Sequence, residues 1–344
     1  MAVQGEIVHI GGYTAQSGGR AIGIVAARRD PRSGELTSLG TVAVTASPSF
    51  LARHPRLPML YAVNELPTGE ISAWRVGADG ELDAAGTQPT GGAEPCHLAV
   101  TPGGGHLVVA NYGSGSVTVF PLDADGVPGA RTDVVAHQGH GPNPERQEQA
   151  HAHMVSPGAD GEPLLAVDLG TDSIYRYDLD MTGGLTSRGA RVRTAQGVGP
   201  RHVARHPDGR HCYVAGELDG SVLAYEVTGD GGLQELGRVE ASDRAGHVQP
   251  SEIAVGADGR FLYVANRGVG TIAVFALGAG LPKQVAEVET GGEWPRHFAL
   301  VGEHLYVVDE RADMVRTFLV DRESGVPTPL GEPLVVASPT CLLP

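Results

Sequence analysis

Imidazole, carboxylate and guanidinium side chains recur in this 344-residue sequence at positions that match from one segment to the next. The matching positions hold one histidine, three arginines and three glutamates: His153, Arg201, Arg267, Arg296, Glu65, Glu217 and Glu310. An imidazole and carboxylates can take up and release protons, and guanidinium groups suit the planar recognition of a carboxylate or phosphate. Together they are the components of an acid–base site that acts on a small anionic molecule.

A repeated segment beginning with Pro or Ala carries these positions. Clear copies read PCHLAVTPGGGHLVVANYGSGSVTVFPL, PRHVARHPDGRHCYVAGELDGSVLAYEV and PSEIAVGADGRFLYVANRGVGTIAVFAL, and the six starting residues are Pro48, Pro95, Ala152, Pro200, Pro250 and Pro295. Each copy contains two apolar runs around a turn, then a second turn and an alternating run, which predicts three antiparallel strands. A looser segment such as LQELGRVEA supplies a fourth strand. A period of about 40 to 50 residues with four strands predicts the blades of a β-propeller.

The two ends of the chain complete a ring that six copies would leave open. The tail from Pro339 repeats only the innermost strand, while VHIGGYT and GIVAARRD near the N-terminus resemble the second and third strands. The sequence therefore predicts an all-β fold, a seven-bladed propeller that forms one domain over residues 1–344 with almost no helix. Pro339–Leu343 is expected to pair with Val8–Tyr13, because closure buries strand edges that would otherwise promote aggregation.

The hairpin register places the matching positions at one rim of the central channel. In the copy beginning at Pro200 the turn centres on Gly209, so Arg201 and Glu217 are equally distant from it and are predicted to face each other. The same register gives a first ring of Ser49, Cys96, His153, Arg201, Ser251, Arg296 and Thr340. The second ring consists of Tyr13, Glu65, Tyr112, Leu169, Glu217, Arg267 and Glu310. We expect a charged cluster at the channel mouth, with Glu217 solvated there.

Histidines outside the first ring have a simpler interpretation. His97, His202 and His297 share one repeated position and are interpreted as part of the scaffold, whereas His153 departs from that pattern.

The charged rim residues also have a simpler interpretation: they could merely form ion pairs with one another, Arg201 with Glu217 for instance.

A competing hypothesis is a metal site, since H-x2-H and H-x-H spacings occur among metal ligands. Its candidate ligands are His137, His140, His151 and His153. The segment that carries them, AHQGHGPNPERQEQAHAH, is rich in Gly, Pro and charge, and is predicted to be a flexible flap over the rim.

Composition narrows the classes of partner. Forty acidic against 25 basic residues give a net charge of −15, which disfavours nonspecific binding to nucleic acid or anionic membranes. The N-terminus resembles no signal peptide and no stretch is long and apolar enough to span a membrane, so a cytoplasmic location is expected. Cys96, Cys212 and Cys341 are too few and too widely spaced for a disulfide framework and are predicted to be buried thiols.

The copies PRHVARHPDGRHCYVAGEL, AHAHMVSPGADGEPLLAVDLG and YVANRG, with the N-terminal IGGYT, resemble the propeller lactonase family over essentially the whole chain. That family contains bacterial 6-phosphogluconolactonases and fungal carboxymuconate lactonizing enzymes. The resemblance implies hydrolysis of a sugar-acid lactone, most directly 6-phosphogluconolactone, without a metal or organic cofactor. Two alternatives stay open: a muconate-type lactonizing cycloisomerase, and a non-enzymatic propeller that binds a protein partner.

The same resemblance implies the catalytic residues. The lactonizing branch uses a histidine, two arginines and a glutamate at the channel mouth, which match His153, Arg201, Arg267 and Glu217. Arg296 could replace Arg267, and an irregular turn after Ala152 leaves His151 as an alternative to His153. Either His153 or Glu217 could be the base, and the arginines could stabilise an oxyanion or hold an anionic group. The remaining rim residues are expected to bind substrate: Arg296, Glu65, Tyr112, Tyr13 and Glu310.

Overall fold

The computed structural model describes residues 5–159 and 161–344, and β-strands account for nearly all of its regular structure. The strands of the first half are β1 (Glu6–Gly12), β2 (Gly23–Arg29), β3 (Leu36–Val44), β4 (Leu51–Arg53), β5 (Met59–Asn64), β6 (Glu70–Val76), β7 (Leu82–Pro89), β8 (Pro95–Val100), β9 (His106–Asn111), β10 (Ser116–Pro121), β11 (Asp133–Ala136), β12 (Ala152–Ser156), β13 (Leu164–Asp168), β14 (Ser173–Leu179), β15 (Leu185–Ser187) and β16 (Val192–Arg193). Those of the second half are β17 (Pro200–Arg205), β18 (His211–Gly216), β19 (Ser221–Val227), β20 (Leu233–Glu240), β21 (Val248–Val255), β22 (Phe261–Gly268), β23 (Thr271–Ala276), β24 (Lys283–Glu289), β25 (Pro295–Val301), β26 (His304–Asp309), β27 (Met314–Val320), β28 (Pro327–Val335) and β29 (Pro339–Leu343). The one helical element within the described ranges is a 3-10 turn, Ala15–Ser17, and none of their helices is long and apolar enough to cross a membrane.

The strands form seven antiparallel sheets, as the repeats predict. Blades 1 and 2 are β4–β7 and β8–β11, and blade 3 is β12–β15 with β16 added beside β14. Blades 4, 5 and 6 are β17–β20, β21–β24 and β25–β28. The first strands of neighbouring blades contact one another around the ring, so they line the central channel.

The closing blade joins both ends of the chain, in the order β29, β1, β2 and β3. Its register pairs His9 with Leu343, Ile10 with Leu342 and Gly11 with Cys341, and the Tyr13 amide extends the pairing. This confirms the predicted closure.

Burial explains the pattern of strand residues. The second strand of each blade is apolar on both faces because a blade packs against it on either side; all six residues of β5 and of β26 are buried. The outer strands alternate between exposed and half-buried residues, as in β20 and β24. A cluster of buried apolar side chains lies at every junction between neighbouring blades, including both sides of the closing blade. Cys96, Cys212 and Cys341 are free and buried, as predicted; Cys212 and Cys341 belong to these clusters, and Cys96 lies in the first ring.

A β-bulge near the start of the first strand corrects the predicted hairpin register. Pro200 pairs with Gly216 and Val203 pairs with Val214, so one extra residue lies between them on the inner strand. Glu217 therefore faces Gly199, whose carbonyl accepts its amide at 2.9 Å, rather than Arg201. The same irregularity falls at the first-ring positions Cys96, His153, Ser251, Arg296 and Thr340. Because a bulge redirects side chains, the repeated bulge turns the first ring towards the channel mouth.

Candidate active site

The carboxylate of Glu217, at the end of β18, is the centre of the rim cluster. Its Oε2 accepts a hydrogen bond from Arg267 Nη2 at 2.7 Å and lies 3.0 Å from Arg201 Nε. Its Oε1 accepts hydrogen bonds from Gln249 Nε2 at 2.9 Å and from Arg146 Nη2 at 2.5 Å. Glu217 is only 2% exposed, so the expectation that it is solvated was wrong. The guanidinium groups of Arg267, Arg201 and Arg146 surround the Glu217 carboxylate in place of solvent water.

The charge of Glu217 follows from these neighbours. Burial alone would raise the pKa of the carboxyl, but Arg267, Arg201 and Arg146 hold its pKa well below the ordinary value. Glu217 is therefore ionised at neutral pH and is a weak proton acceptor in this arrangement. Both oxygens of Glu217 are engaged by guanidinium and amide groups, whereas His153 Nδ1 has no hydrogen-bond partner among the described residues, so the geometry favours His153 over Glu217 as the general base.

Arg201, from β17, has N–H groups that are not used in hydrogen bonds to the described residues. Its side chain is 3% exposed, yet Nε and Nη1 are buried without a hydrogen-bond partner among the described residues. Although Nε lies 3.0 Å from Glu217 Oε2, its N–H does not point at that oxygen, so the contact is an ion pair only. Burial, and next the charge of Arg267, lower the pKa of Arg201. Buried donors without partners are costly, and an oxygen atom of a bound ligand would satisfy them.

His153 is buried beside this cluster. Its ring lies edge-on to Tyr112, at 5.6 Å between centroids, and to His202 at 5.2 Å, and its Nδ1 lacks a partner within the described part of the chain. Burial, and next Arg201, lower the pKa of His153 well below 6.5, so the imidazole is neutral at physiological pH. A neutral imidazole can accept a proton.

His151 does not share this position. Its ring stacks on Tyr112 at 4.4 Å, Nδ1 contacts the Tyr112 carbonyl at 2.9 Å, and Nε2 contacts Glu148 Oε1 at 3.1 Å. Both ring nitrogens are therefore engaged outside the Glu217 cluster. The bulge in blade 3 falls at His153, the counterpart of Arg201, so the irregular turn does not shift the register to His151.

A second group of rim residues surrounds Arg296. Its Nη2 contacts the Tyr13 hydroxyl at 2.5 Å, and Nη1 lies 3.6 Å from Glu310 Oε2. Tyr13 donates to Glu65 Oε1 at 2.8 Å, and Ser49 donates to Glu65 Oε2 at 2.5 Å. Burial is the main reason why the pKa values of Tyr13 and Glu65 are raised. Arg267 thus stands beside Glu217, whereas Arg296 belongs to this neighbouring group.

Two site residues escaped the sequence interpretation, Arg146 and Gln249. Arg146 lies in the long segment between β11 and β12, and Gln249 directly precedes the starting Pro of blade 5. The repeat gave no signal for either, because both lie outside the two rings. The segment predicted to be a flap does contact the rim through Arg146. Arg146 is the single arginine of that segment, which was the one sequence feature that pointed to it.

Below the rim, the repeated histidines fill the channel. His97 and His202 meet edge-on at 5.5 Å, and the Phe50 ring lies 4.2 Å from His97. Glu252 Oε2 lies 3.1 Å from His202 Nδ1 and 3.5 Å from His297 Nε2. This layer forms the floor of the rim cluster, which fits the interpretation of these histidines as scaffold.

The histidines of the metal hypothesis do not converge. His137 Nδ1 contacts Asp168 Oδ2 at 2.6 Å in a fully buried pair, while His140 is exposed. Within the described ranges, a different group of three potential metal ligands lies close together: His206, Asp208 and His211, in the turn between β17 and β18, far from the rim. Both nitrogens of His206 are already engaged there, Nδ1 by the Asp208 amide at 3.1 Å and Nε2 by the Gly259 carbonyl at 2.9 Å. His206 thus has no free lone pair for a metal.

Comparison with known proteins places this site in context. The family described as "Lactonase, 7-bladed beta-propeller" matches residues 7–344. The chain belongs to this family. A 6-phosphogluconolactonase of Bacillus subtilis is 34% identical, with 98% of this chain and 97% of that protein covered. The structure of a periplasmic gluconolactonase from Pseudomonas aeruginosa superposes with a TM-score of 0.92 at 31% identity, covering 98% of both chains. A protein from Lactobacillus plantarum gives a TM-score of 0.92 at 31% identity, covering 99% of both. Sequence and structure thus agree on the lactonase propeller family.

Proposed function

We propose that the protein hydrolyses a sugar-acid lactone, with 6-phosphogluconolactone as the main substrate and 6-phosphogluconate as the product. The observation that carries the proposal is the buried guanidinium of Arg201, which presents two N–H groups without a hydrogen-bond partner among the described residues, beside the neutral imidazole of His153. The name and the full-length similarity of the Bacillus subtilis relative support the choice of substrate. A cytoplasmic location is part of the same proposal.

The residues suggest a division of labour. His153 takes a proton from water as the water oxygen attacks the lactone carbonyl carbon. The free N–H groups of Arg201 stabilise the oxyanion of the tetrahedral intermediate in a site from which water is largely excluded. When the intermediate collapses, the ring C–O bond breaks and the protonated His153 returns its proton to the leaving alkoxide. Glu217 holds Arg201 and Arg267 in place, and Tyr13, Glu65, Tyr112, Arg296 and Glu310 line the substrate's surroundings.

The charge of the cluster suits an anionic substrate. Three guanidinium groups face the carboxylate of Glu217, with Glu252 as a further carboxyl group near Arg201, so cations outnumber carboxylates on this side of the rim of a strongly acidic protein. A propeller that served only to bind a protein partner would not need buried guanidinium N–H groups without partners. The charged rim therefore favours a small anion over an apolar protein surface.

The decisive experiment is a substrate comparison. Consumption of 6-phosphogluconolactone should be measured with the spontaneous rate subtracted, beside glucono-1,5-lactone and a carboxymuconate. We expect the phosphorylated lactone to have the highest kcat/KM. Turnover of the carboxymuconate alone would instead indicate a lactonizing cycloisomerase that uses the same groups. Failure to accelerate any of the three would refute the proposal.

A further inference from the structure

The segment between β11 and β12 brings an additional cation to the rim. It leaves the outer edge of blade 2 after Ala136, is bonded to the rims of blades 2 and 3 through Gln149 and Gln147, and enters blade 3 at Ala152. Arg146 extends from it to Glu217, and its Nη2 also lies 3.5 Å from the Tyr112 hydroxyl. Tyr112 in turn borders His153, so Arg146 stands at the edge of the proposed reaction site.

The contacts of Glu217 are saturated in this state. A carboxylate offers about four acceptor directions. Arg146 and Gln249 occupy those of Oε1, and Arg267 and Arg201 face Oε2. The reacting carbonyl of a substrate can use the N–H groups of Arg201 that have no partner among the described residues. A second, anionic group of the substrate meets guanidinium groups that already face Glu217, and it binds most readily where one of them can change partner.

Arg146 is the arginine best able to do so. Its side chain is 36% exposed, whereas those of Arg201 and Arg267 are 3% and 5% exposed and leave from buried strand positions. The Nη2 of Arg267 is also held by the Pro250 carbonyl at 3.2 Å. No comparable second anchor holds the Arg146 guanidinium within the described residues; its other partner is the distant Tyr112 hydroxyl.

The backbone of Arg146 is nevertheless fixed. The next residue, Gln147, is buried, and its Nε2 donates to the Leu169 carbonyl and to Asp172 Oδ1, both at 2.8 Å. The Asn143 side chain accepts the Arg146 amide at 3.2 Å. The side chain can thus rotate about an anchored Cα without movement of the whole segment.

We propose that Arg146 determines specificity for a phosphorylated lactone, because its guanidinium exchanges Glu217 for the phosphate group of the bound substrate. The proposal rests on the lactonase function proposed above. Glu217 serves as the internal counter-ion until the substrate arrives, and a phosphate can accept several N–H groups at once. An unphosphorylated lactone offers no such partner, so Arg146 stays on Glu217 and contributes nothing to its binding. The lactone ring meanwhile lies against Arg201 and His153.

Arg146→Gln provides the test. The variant should raise KM for 6-phosphogluconolactone by about 10- to 100-fold, the range expected for one charge-assisted contact, with kcat changed far less. For glucono-1,5-lactone the loss in kcat/KM should be at least several-fold smaller, so the variant should lower the preference for the phosphorylated lactone. Arg146→Lys, which keeps a charge that can bind phosphate, should recover part of the lost affinity. Arg193→Gln removes an equal charge from the exposed end of β16 and should leave both substrates unaffected.

Binding measurements separate this inference from the proposed activity. Calorimetric titration with 6-phosphogluconate and with gluconate should show that Arg146→Gln weakens only the phosphorylated ligand, by a similar factor, whether or not the protein turns over a lactone. Equal losses for phosphorylated and unphosphorylated ligands would assign Arg146 a general role in the site and overturn the inference. Unchanged constants for both, or no binding of 6-phosphogluconate to the unaltered protein, would overturn it as well.

Discussion

At the residue scale, Glu217 acts as the counter-ion of three arginines, and this decides how substitutions should behave. Arg201→Met removes one cation but leaves Glu217 bonded to Arg267, Arg146 and Gln249. Removal of the Arg201 charge also relieves its repulsion with Arg267, so the free energy of unfolding should change little. Turnover of 6-phosphogluconolactone should fall by about 10- to 100-fold or more, since one charge-assisted contact to the intermediate is worth about 1.5–3 kcal/mol.

Glu217→Gln is the matched variant for stability. It leaves buried guanidinium groups without a carboxylate, and breaking a buried ion pair in this way costs about 3–5 kcal/mol. Urea unfolding should therefore rank Glu217→Gln well below Arg201→Met, which should resemble the unaltered protein. The opposite ranking, or full activity in both variants, would show that the chemistry does not depend on this cluster.

The lowered pKa of His153 predicts how the activity depends on pH. Burial and Arg201 lower its pKa well below 6.5, so it remains an unprotonated base at pH values where an ordinary histidine is charged. The value of kcat/KM should stay level as the pH falls from about 8 to about 6, and decline only below that. Glucono-1,5-lactone is the proper substrate because the phosphate of the other lactone titrates near pH 6 itself. His153→Gln should reduce kcat by about 10²- to 10⁴-fold. An acid limb with a midpoint of about 6.5 would argue against a buried imidazole base.

At the scale of elements, the repeat predicts strands and rings well but does not predict the bulge. The two rings follow from counting residues between turns, which correctly assigns Arg201 and Glu217 to one rim. The cross-strand pairing is wrong because the extra residue of the bulge has no signature in composition or periodicity. Arg201 still meets Glu217, through the bulge and through the length of its side chain. Gln249 and Arg146 lie outside the repeat, so only the folded chain shows their contacts.

The segment over the rim is the element whose rigidity can be tested. Gln147→Ala removes two buried hydrogen bonds, to the Leu169 carbonyl and Asp172 Oδ1, and leaves those acceptors less satisfied. We expect trypsin to cleave after Arg146 at least several-fold faster, because both the backbone anchor and the pairing with Glu217 are weakened. Gln149→Ala is the control: its amide reaches the Gly113 carbonyl at 2.9 Å from an exposed position, and its loss should matter little. Equal cleavage of both variants would mean that Gln147 does not anchor the segment.

At the scale of the whole molecule, six repeats and two chain ends are enough to predict the ring, because each blade must cover the apolar faces of its neighbours. The closing strand illustrates this dependence. Leu342 of β29 packs with Val8 and Tyr306 on one side of the closing blade, and Cys341 packs with Ile24 and Leu60 on the other. A single short strand thus contributes to two inter-blade cores.

Deletion of residues 339–344 should therefore disturb more than one blade. The truncated chain loses apolar burial at both junctions and exposes the edge of β1, whose free N–H and C=O groups can pair with another molecule. We expect a lower urea midpoint and association into larger species than the full-length protein shows in size-exclusion chromatography. Leu342→Ala is the matched variant, since it removes side-chain packing worth about 2–5 kcal/mol but keeps the backbone ladder. It should be destabilised without new association, which separates the loss of core from the exposure of an edge. A truncated chain that elutes and unfolds like the full-length protein would show that the ring is held by its other five junctions alone.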